Sequence, residues 1–235
     1  MSLWQLPAEL AAWVVPLTFA LDARQHARLS ALLAGLLFAK GRRTVSSWLR
    51  AAGLGDDFRA CYGLVYRIGR RAERLARALL VRVALPLLAK GLERLTFALD
   101  DTPTKRYGPH VEGAGLHHNP TPGPADQRFV YGHVWVTLAW LAPHRLWGAL
   151  ALPLRALLYV RRKDVARLPR RYQWPFRTKL ELAAELLRWA AQWAGWLGKA
   201  LQRACLREEY QAATTGSGQA RKLRRLARRL LRMVA

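Results

Sequence analysis

Cysteine is nearly absent: Cys61 and Cys205 are the two in 235 residues, too few for a disulfide framework or a cysteine-built zinc site. A reducing cytosol fits such a chain. Acidic residues are also scarce. Fifteen Asp and Glu face 39 Lys and Arg, a formal charge of +24, although the charged fraction is an ordinary 23%. A compact chain with that surplus repels itself unless something anionic is near, so nucleic acid or an acidic membrane surface comes first as partner. A solvated surface enriched in Arg by coding bias is the plainer alternative. Uninterrupted apolar runs are missing as well. Leu10 to Leu21 contains Pro16, and Val134 to Val160 is broken by Pro143, His144, Arg145, Pro153 and Arg155. Neither a signal peptide nor a transmembrane span is expected. What is present in quantity is apolar material, 52% of the chain, which can fill a core and argues against wholesale disorder.

Helical periodicity dominates from Asp22 to about Lys90. Leu29, Leu32, Leu33, Leu36 and Leu37 form one stripe, and Leu75, Leu79, Leu80 and Val83 another. Gly41 ends one helix and Thr44 can cap a second over Val45 to Ala52, an outline that matches a helix-turn-helix or any two short packed helices. Read as a DNA-binding motif, it offers Arg42 and Arg43 in the turn and Ser46, Ser47 and Arg50 on the second helix to phosphates or base edges. Gly55-Asp56-Asp57 then restarts a helix through an Asp cap.

After Lys90 the texture changes. Leu95 to Leu99 reads as a buried strand carrying Asp100 and Asp101 at its C-terminal end, and Pro103 to Gln127 as a long surface loop. Phe129 to Leu141 and Leu146 to Val160, separated by Ala142-Pro143-His144-Arg145, predict an antiparallel hairpin. A basic linker, Arg161 to Arg171, precedes a capping box at Thr178-Lys179-Leu180-Glu181. A long helix follows, with Leu180, Ala184, Leu187, Ala191, Ala194 and Leu201 along one face.

Two carboxylates at the end of a buried strand are costly to hold ionised without a cation, so Mg²⁺ is a natural partner for Asp100 and Asp101; a turn cap is the alternative. His110, His117, His118, His133 and His144 lack the paired spacing of a zinc site. The tryptophans at 189, 193 and 196 lie at helical spacing, as core or interface residues do.

The order of strand with Asp, antiparallel hairpin and long helix is that of the opening half of a ribonuclease-H-like fold. The residues are familiar too. Phe97-Ala98-Leu99-Asp100-Asp101-Thr102-Pro103-Thr104-Lys105-Arg106-Tyr107-Gly108 resembles the first catalytic strand of insertion-sequence transposases of the DDE superfamily, in the subgroup marked by Asp-Asp-Thr. His117-His118-Asn119-Pro120 and Tyr131-Gly132-His133-Val134-Trp135-Val136 resemble that subgroup's loop and second strand. Lys179-Leu180-Glu181-Leu182-Ala183 resembles the start of its central helix. The resemblance covers roughly residues 1 to 200. It implies that Asp100, with Asp101 as the fallback, is the first member of a triad holding two Mg²⁺ ions at the tip of a central strand. It also implies that Lys105 and Arg106 contact a phosphate near the scissile bond, and that DNA, not a membrane or a small molecule, is the partner. Self-association remains open.

The family pattern next requires an apolar strand ending in a second Asp and, much later, a Glu on a helix. Past Leu201 no such strand is legible and no Asp follows Asp164; Glu208 and Glu209 stand without a strand to hold them. The basic stretch Arg221 to Leu230, with Leu223, Leu226 and Leu230 on one face, reads either as an anion-binding amphipathic helix or as a tail translated out of frame. The resulting expectation is an α+β chain in three parts. Residues 1–90 form a helical DNA-binding region, 91–201 a partial ribonuclease-H-like domain, and 202–235 a basic tail. Together they make a truncated DDE transposase that binds DNA and is inactive alone. A non-catalytic basic protein that binds a membrane surface or a partner is the alternative.

Overall fold

The computed structural model describes residues 8–193 except 19, 23–24, 42–43, 56–57, 90–91, 93–94, 109 and 120–126. Arg42, Arg43, Asp56, Asp57, the basic tail, Ala194, Leu201, Trp196 and both Glu208 and Glu209 lie outside the described residues. Two compact units divide the chain, Met1–Lys90 and Gly91–Ala235.

The first unit is helical: α1 (Ala8–Thr18), α2 (His26–Phe38), α3 (Val45–Ala51), α4 (Phe58–Arg70), α5 (Ala72–Ala78) and α6 (Leu85–Leu88). A π-helical turn, Leu79–Ala84, joins the last two. Pro86 accounts for it, since the ring would clash with the carbonyl four residues back and offers no N–H to an α-type bond there. The Thr44 hydroxyl accepts the Ser47 N–H and so caps α3. The core joins Leu29, Ala31 and Leu32 of α2 to Leu49, Ala52 and Leu54 of and after α3, and to Cys61 and Leu64 of α4. The leucine stripe expected on α2 is therefore only partly the buried face. Leu36 and Leu37 are exposed, while Ala34 and Gly35 are buried, because α3 packs so close that only small residues fit at the crossing.

In the second unit, β1 (Phe97–Lys105), β2 (Gly115–His118), β3 (Phe129–His144) and β4 (Gly148–Tyr159) make one antiparallel sheet. Two short helical segments follow, α7 (Arg162–Val165) and a 3-10 turn at Arg170–Tyr172, and then α8 (Lys179–Trp193). A helical first part followed by an antiparallel sheet and a long helix is the α+β class that the element order implies. On β3 every second residue from Val130 to Ala142 is buried, the alternation of a strand with one face against a core. The helix α8 covers that face with Leu182, Leu186, Trp189 and Ala190. The stripe expected along Leu180 and Leu187 is only half-buried, so the helix is rotated from the expected face. Its start is as the capping box requires: Glu181 accepts the Thr178 N–H at 2.7 Å, and the Thr178 hydroxyl accepts the Glu181 N–H at 3.2 Å.

Several expected boundaries move. Strand β1 does not end at the acidic pair but continues through Thr102, Pro103 and Thr104 to Lys105, because β3 is long enough to pair with all of it, from Phe97↔Trp140 to Lys105↔Gly132. The stretch expected as an irregular loop contains β2, which extends the sheet on the other side of β3. Ala142-Pro143-His144 stays in β3, and the hairpin turn falls at Arg145–Trp147. There Gly148 takes a φ of 69°.

Strand β1 is an edge, not a central strand, among the described residues: it pairs with β3 alone. Backbone bonds beyond both ends of β1, Arg106 N–H to Tyr131 O and Leu141 N–H to Thr96 O, show that its even-numbered residues point their peptide groups at β3. The odd-numbered ones point them at the open edge. That edge is partly closed by its own sequence. Pro103 has no N–H to leave unpaired, and the Asp101 N–H is taken by the Asp100 carboxylate at 2.8 Å. The Lys105 carbonyl accepts from the Arg106 guanidinium at 3.2 Å. Such features discourage edge-to-edge pairing.

Candidate functional site

Consecutive residues of a strand face opposite sides, so Asp100 and Asp101 cannot share one ion as a pair. Asp101 lies opposite Val136, on the face that α8 covers, and its carboxylate is ion-paired with Lys179 Nζ at the start of α8. Asp100 lies opposite Thr137 on the other face and is exposed. The cations beyond them separate in the same way. Lys105, at the exposed end of β1, shares the side of Asp101, with Pro103 between. Arg106 turns to the other side and donates its Nε–H to His133 Nδ1 at 3.2 Å. His133 in turn donates from Nε2 to the Glu112 carbonyl at 2.9 Å.

Around Asp101 the α8 face gathers groups that lie far apart in sequence. Lys179 Nζ sits over the Tyr159 ring, 5.6 Å from its centroid. Tyr159 meets the edge of His117, centroids 6.1 Å apart. Beyond them Arg161 binds the buried Asp164 through Nε at 2.5 Å and reaches the Leu116 carbonyl with its other end. Gly115 lets the Arg161 guanidinium lie close against the strand, since a Cβ there would be 2.5 Å from it and the arginine would have to shift. A cavity of about 800 Å³ opens between Gly108 and residues 110–116 on one side and Arg161, Asp164 and Arg167 on the other. No local sequence signal places Lys179 and Tyr159 near Asp101, because only the strand register and the helix position bring them there.

His117 is buried and its Nε2 has no hydrogen-bond partner among the described residues. Burial first, then the Arg161 and Lys179 cations, hold its imidazole below the usual histidine range, against smaller opposing effects of Asp164 and of a hydrogen bond to the Gly132 backbone. The folded state therefore keeps His117 neutral, while the unfolded chain takes up the proton first. Stability should decline as pH falls through about 6.5 and level off below the folded pKa. Thermal melts between pH 8 and pH 5 check this. The decline should be shallower in His117→Leu, and equal slopes in both proteins would remove His117 as its cause.

In the first unit the residues expected at DNA divide. Ser47 is spent on the α3 cap, its hydroxyl 2.8 Å from that of Thr44, whereas Arg50 is exposed in the last turn of α3. Among the described residues no three His, Cys, Asp or Glu side chains are grouped to hold a metal. His144 is engaged within its own hairpin turn, where it accepts the Leu146 N–H at 3.2 Å and stacks on Trp147. No helix among the described residues is long and apolar enough to cross a membrane.

No curated protein and no solved structure matches the chain. A family model described as DDE superfamily endonuclease does, over residues 16–198, a range that runs from α1 past the end of α8 and includes the acidic pair of β1. That match supports a function of the nuclease or transposase type, with DNA as the partner the family implies and divalent metal as its usual cofactor. A helical first unit, an antiparallel sheet with an acidic pair on its first strand and a long helix across one face therefore have a common explanation: the chain belongs to the DDE superfamily endonucleases.

Proposed function

We propose that this chain binds DNA as a transposase-type member of its family and does not cleave DNA by itself. The observation that carries the reading is the split of the acidic pair. Asp101 is the carboxylate on the helix-covered face, beside Lys179, and takes the role that the sequence resemblance gave first to Asp100. Lys105, on the same face two pleats along, is the cation for a neighbouring phosphate; Arg106 is turned away and tied to His133.

The described residues do not fit a resident Mg²⁺. They offer it one carboxylate, already held by an ammonium group, whereas the two-ion arrangement of nucleases draws carboxylates from several segments. Past Asp164 the described glutamates are engaged elsewhere, Glu181 in the α8 cap and Glu185 with Arg155 and Arg177. Among the described residues the triad is thus incomplete in this reading, and what they keep is recognition of DNA by a strongly basic chain.

Fluorescence anisotropy with a labelled 30-base-pair duplex tests the reading. Affinity should fall about tenfold or more between 50 and 200 mM salt, the response of a protein that displaces counterions from at least two phosphates. With Mg²⁺ added, no nicked product should form. Salt-independent binding would sink the DNA reading. Nicking that Asp101→Asn abolishes would overturn the claim of inactivity.

A further inference from the structure

We infer that α4, not α3, is the helix that this chain lays against duplex DNA; the inference deepens the DNA-binding reading above and rests on it. In the three-helix arrangement of α2, α3 and α4, α3 has seven residues, a serine spent on its cap and one exposed cation at its end. By contrast α4 has thirteen residues and no Asp or Glu among them. Its inner face puts Cys61 and Leu64 in the core with no exposure at all. Opposite them, Arg59, Tyr62, Tyr66 and Arg70 fall at steps of three, four and four residues, which keeps them on one stripe of an α-helix. Tyr62 is 48% and Tyr66 67% exposed, and both arginines are exposed.

Neither phenol has a hydrogen-bond partner among the described residues. The Arg70 guanidinium lies over the Tyr66 ring, 5.9 Å from its centroid. Arg67 folds back along the helix and donates to the Gly63 carbonyl at 3.2 Å, so it leaves the stripe clear.

The spacing suits a groove. Eleven residues of helix separate the two arginines by about 16 Å, and the major groove is about 12 Å wide. Arginines at the ends can therefore reach phosphates on both rims while the two phenols between them meet base edges or sugars. An anionic membrane is the other surface that attracts cations. It takes a helix by burying the apolar face, and the apolar face of α4 is already inside the unit.

Anisotropy on the full chain, with the same duplex, separates the cases. Arg59→Gln/Arg70→Gln should weaken binding at least tenfold and make the log–log salt dependence shallower by about 1.8, two phosphates at about 0.9 each. Tyr62→Ala/Tyr66→Ala should weaken it with the salt slope unchanged, and Arg59→Lys/Arg70→Lys should restore most of the affinity. Ser47→Ala/Arg50→Ala should stay within threefold of the unaltered chain. All five substituted side chains other than Ser47 are exposed, and matching thermal melts confirm folding. If the α4 variants bind like the unaltered chain, this inference fails while DNA binding stands. If the unaltered chain ignores the duplex and sediments with phosphatidylserine vesicles, both fail.

Discussion

Trp140→Ala is expected to lower stability by about 3–5 kcal/mol, the usual cost of deleting a large aromatic side chain from a core. Trp140 sits at the middle of the sheet with no exposure, opposite Phe97 on β1 and Leu152 on β4. Phe97 is itself 2% exposed. In a unit of this size the loss corresponds to a drop of roughly 10 °C in melting temperature. A second substitution separates volume from polarity. The Trp140 indole N–H is buried with no acceptor among the described residues, and such a group forfeits about 1–3 kcal/mol of hydration. Trp140→Phe removes that group along with part of the ring, so it should cost far less than alanine. Chemical denaturation followed by circular dichroism measures both. A Trp140→Ala protein within 1 kcal/mol of the unaltered chain would mean that the sheet does not pack as described.

The second large effect concerns the helical unit. A Cβ on Gly35 would lie 2.0 Å from the Trp48 carbonyl oxygen and 2.7 Å from its carbon, both backbone atoms of α3. No rotamer change relieves that contact, so α2 and α3 must move apart. Forced separation of well-packed elements costs about 1–3 kcal/mol and sometimes more. Alanine's better helix propensity returns only about 1 kcal/mol. Because backbone atoms must give way, the cost lies at the upper end of that range, and Gly35→Ala should destabilise the unit by up to about 2 kcal/mol, Gly35→Val by more. The functional consequence follows from the shared core: Leu29, Leu32 and Leu49 also seat Cys61 and Leu64 of α4, so a shifted α3 displaces the stripe of Arg59 and Tyr66. Melting temperature should fall first, and duplex affinity with it. A Gly35→Ala chain as stable as the unaltered one would exclude the close α2–α3 crossing.

Local chemistry was legible where it is local. The Thr44 cap, the Thr178–Glu181 capping box and the hairpin of β3 and β4 all depend on residues a few positions apart, and each formed where its residues stand. The charge of +24 and the Asp-Asp-Thr strand likewise pointed from sequence alone toward the family that the match over residues 16–198 supports. Boundaries were less legible. Pro103 and Pro143 look like strand ends, yet Pro103 points its missing donor at an open edge, where a strand tolerates proline. The four residues of β2 are too few to announce themselves among glycines and histidines.

What the sequence by itself determined is the kind of protein this is: a basic α+β chain with a helical first part, whose acidic pair lies on a strand. The tertiary structure decided which acid faces the helix, because a pleated strand sends neighbours to opposite sides and only the packing of α8 distinguishes those sides. It also decided that Lys179, 78 residues from Asp101, is the cation beside it, and that α4 rather than α3 presents arginines and tyrosines to solvent. Those are facts of long-range contact, set by register and by helix crossing distance, and a periodic pattern along the chain carries no record of them.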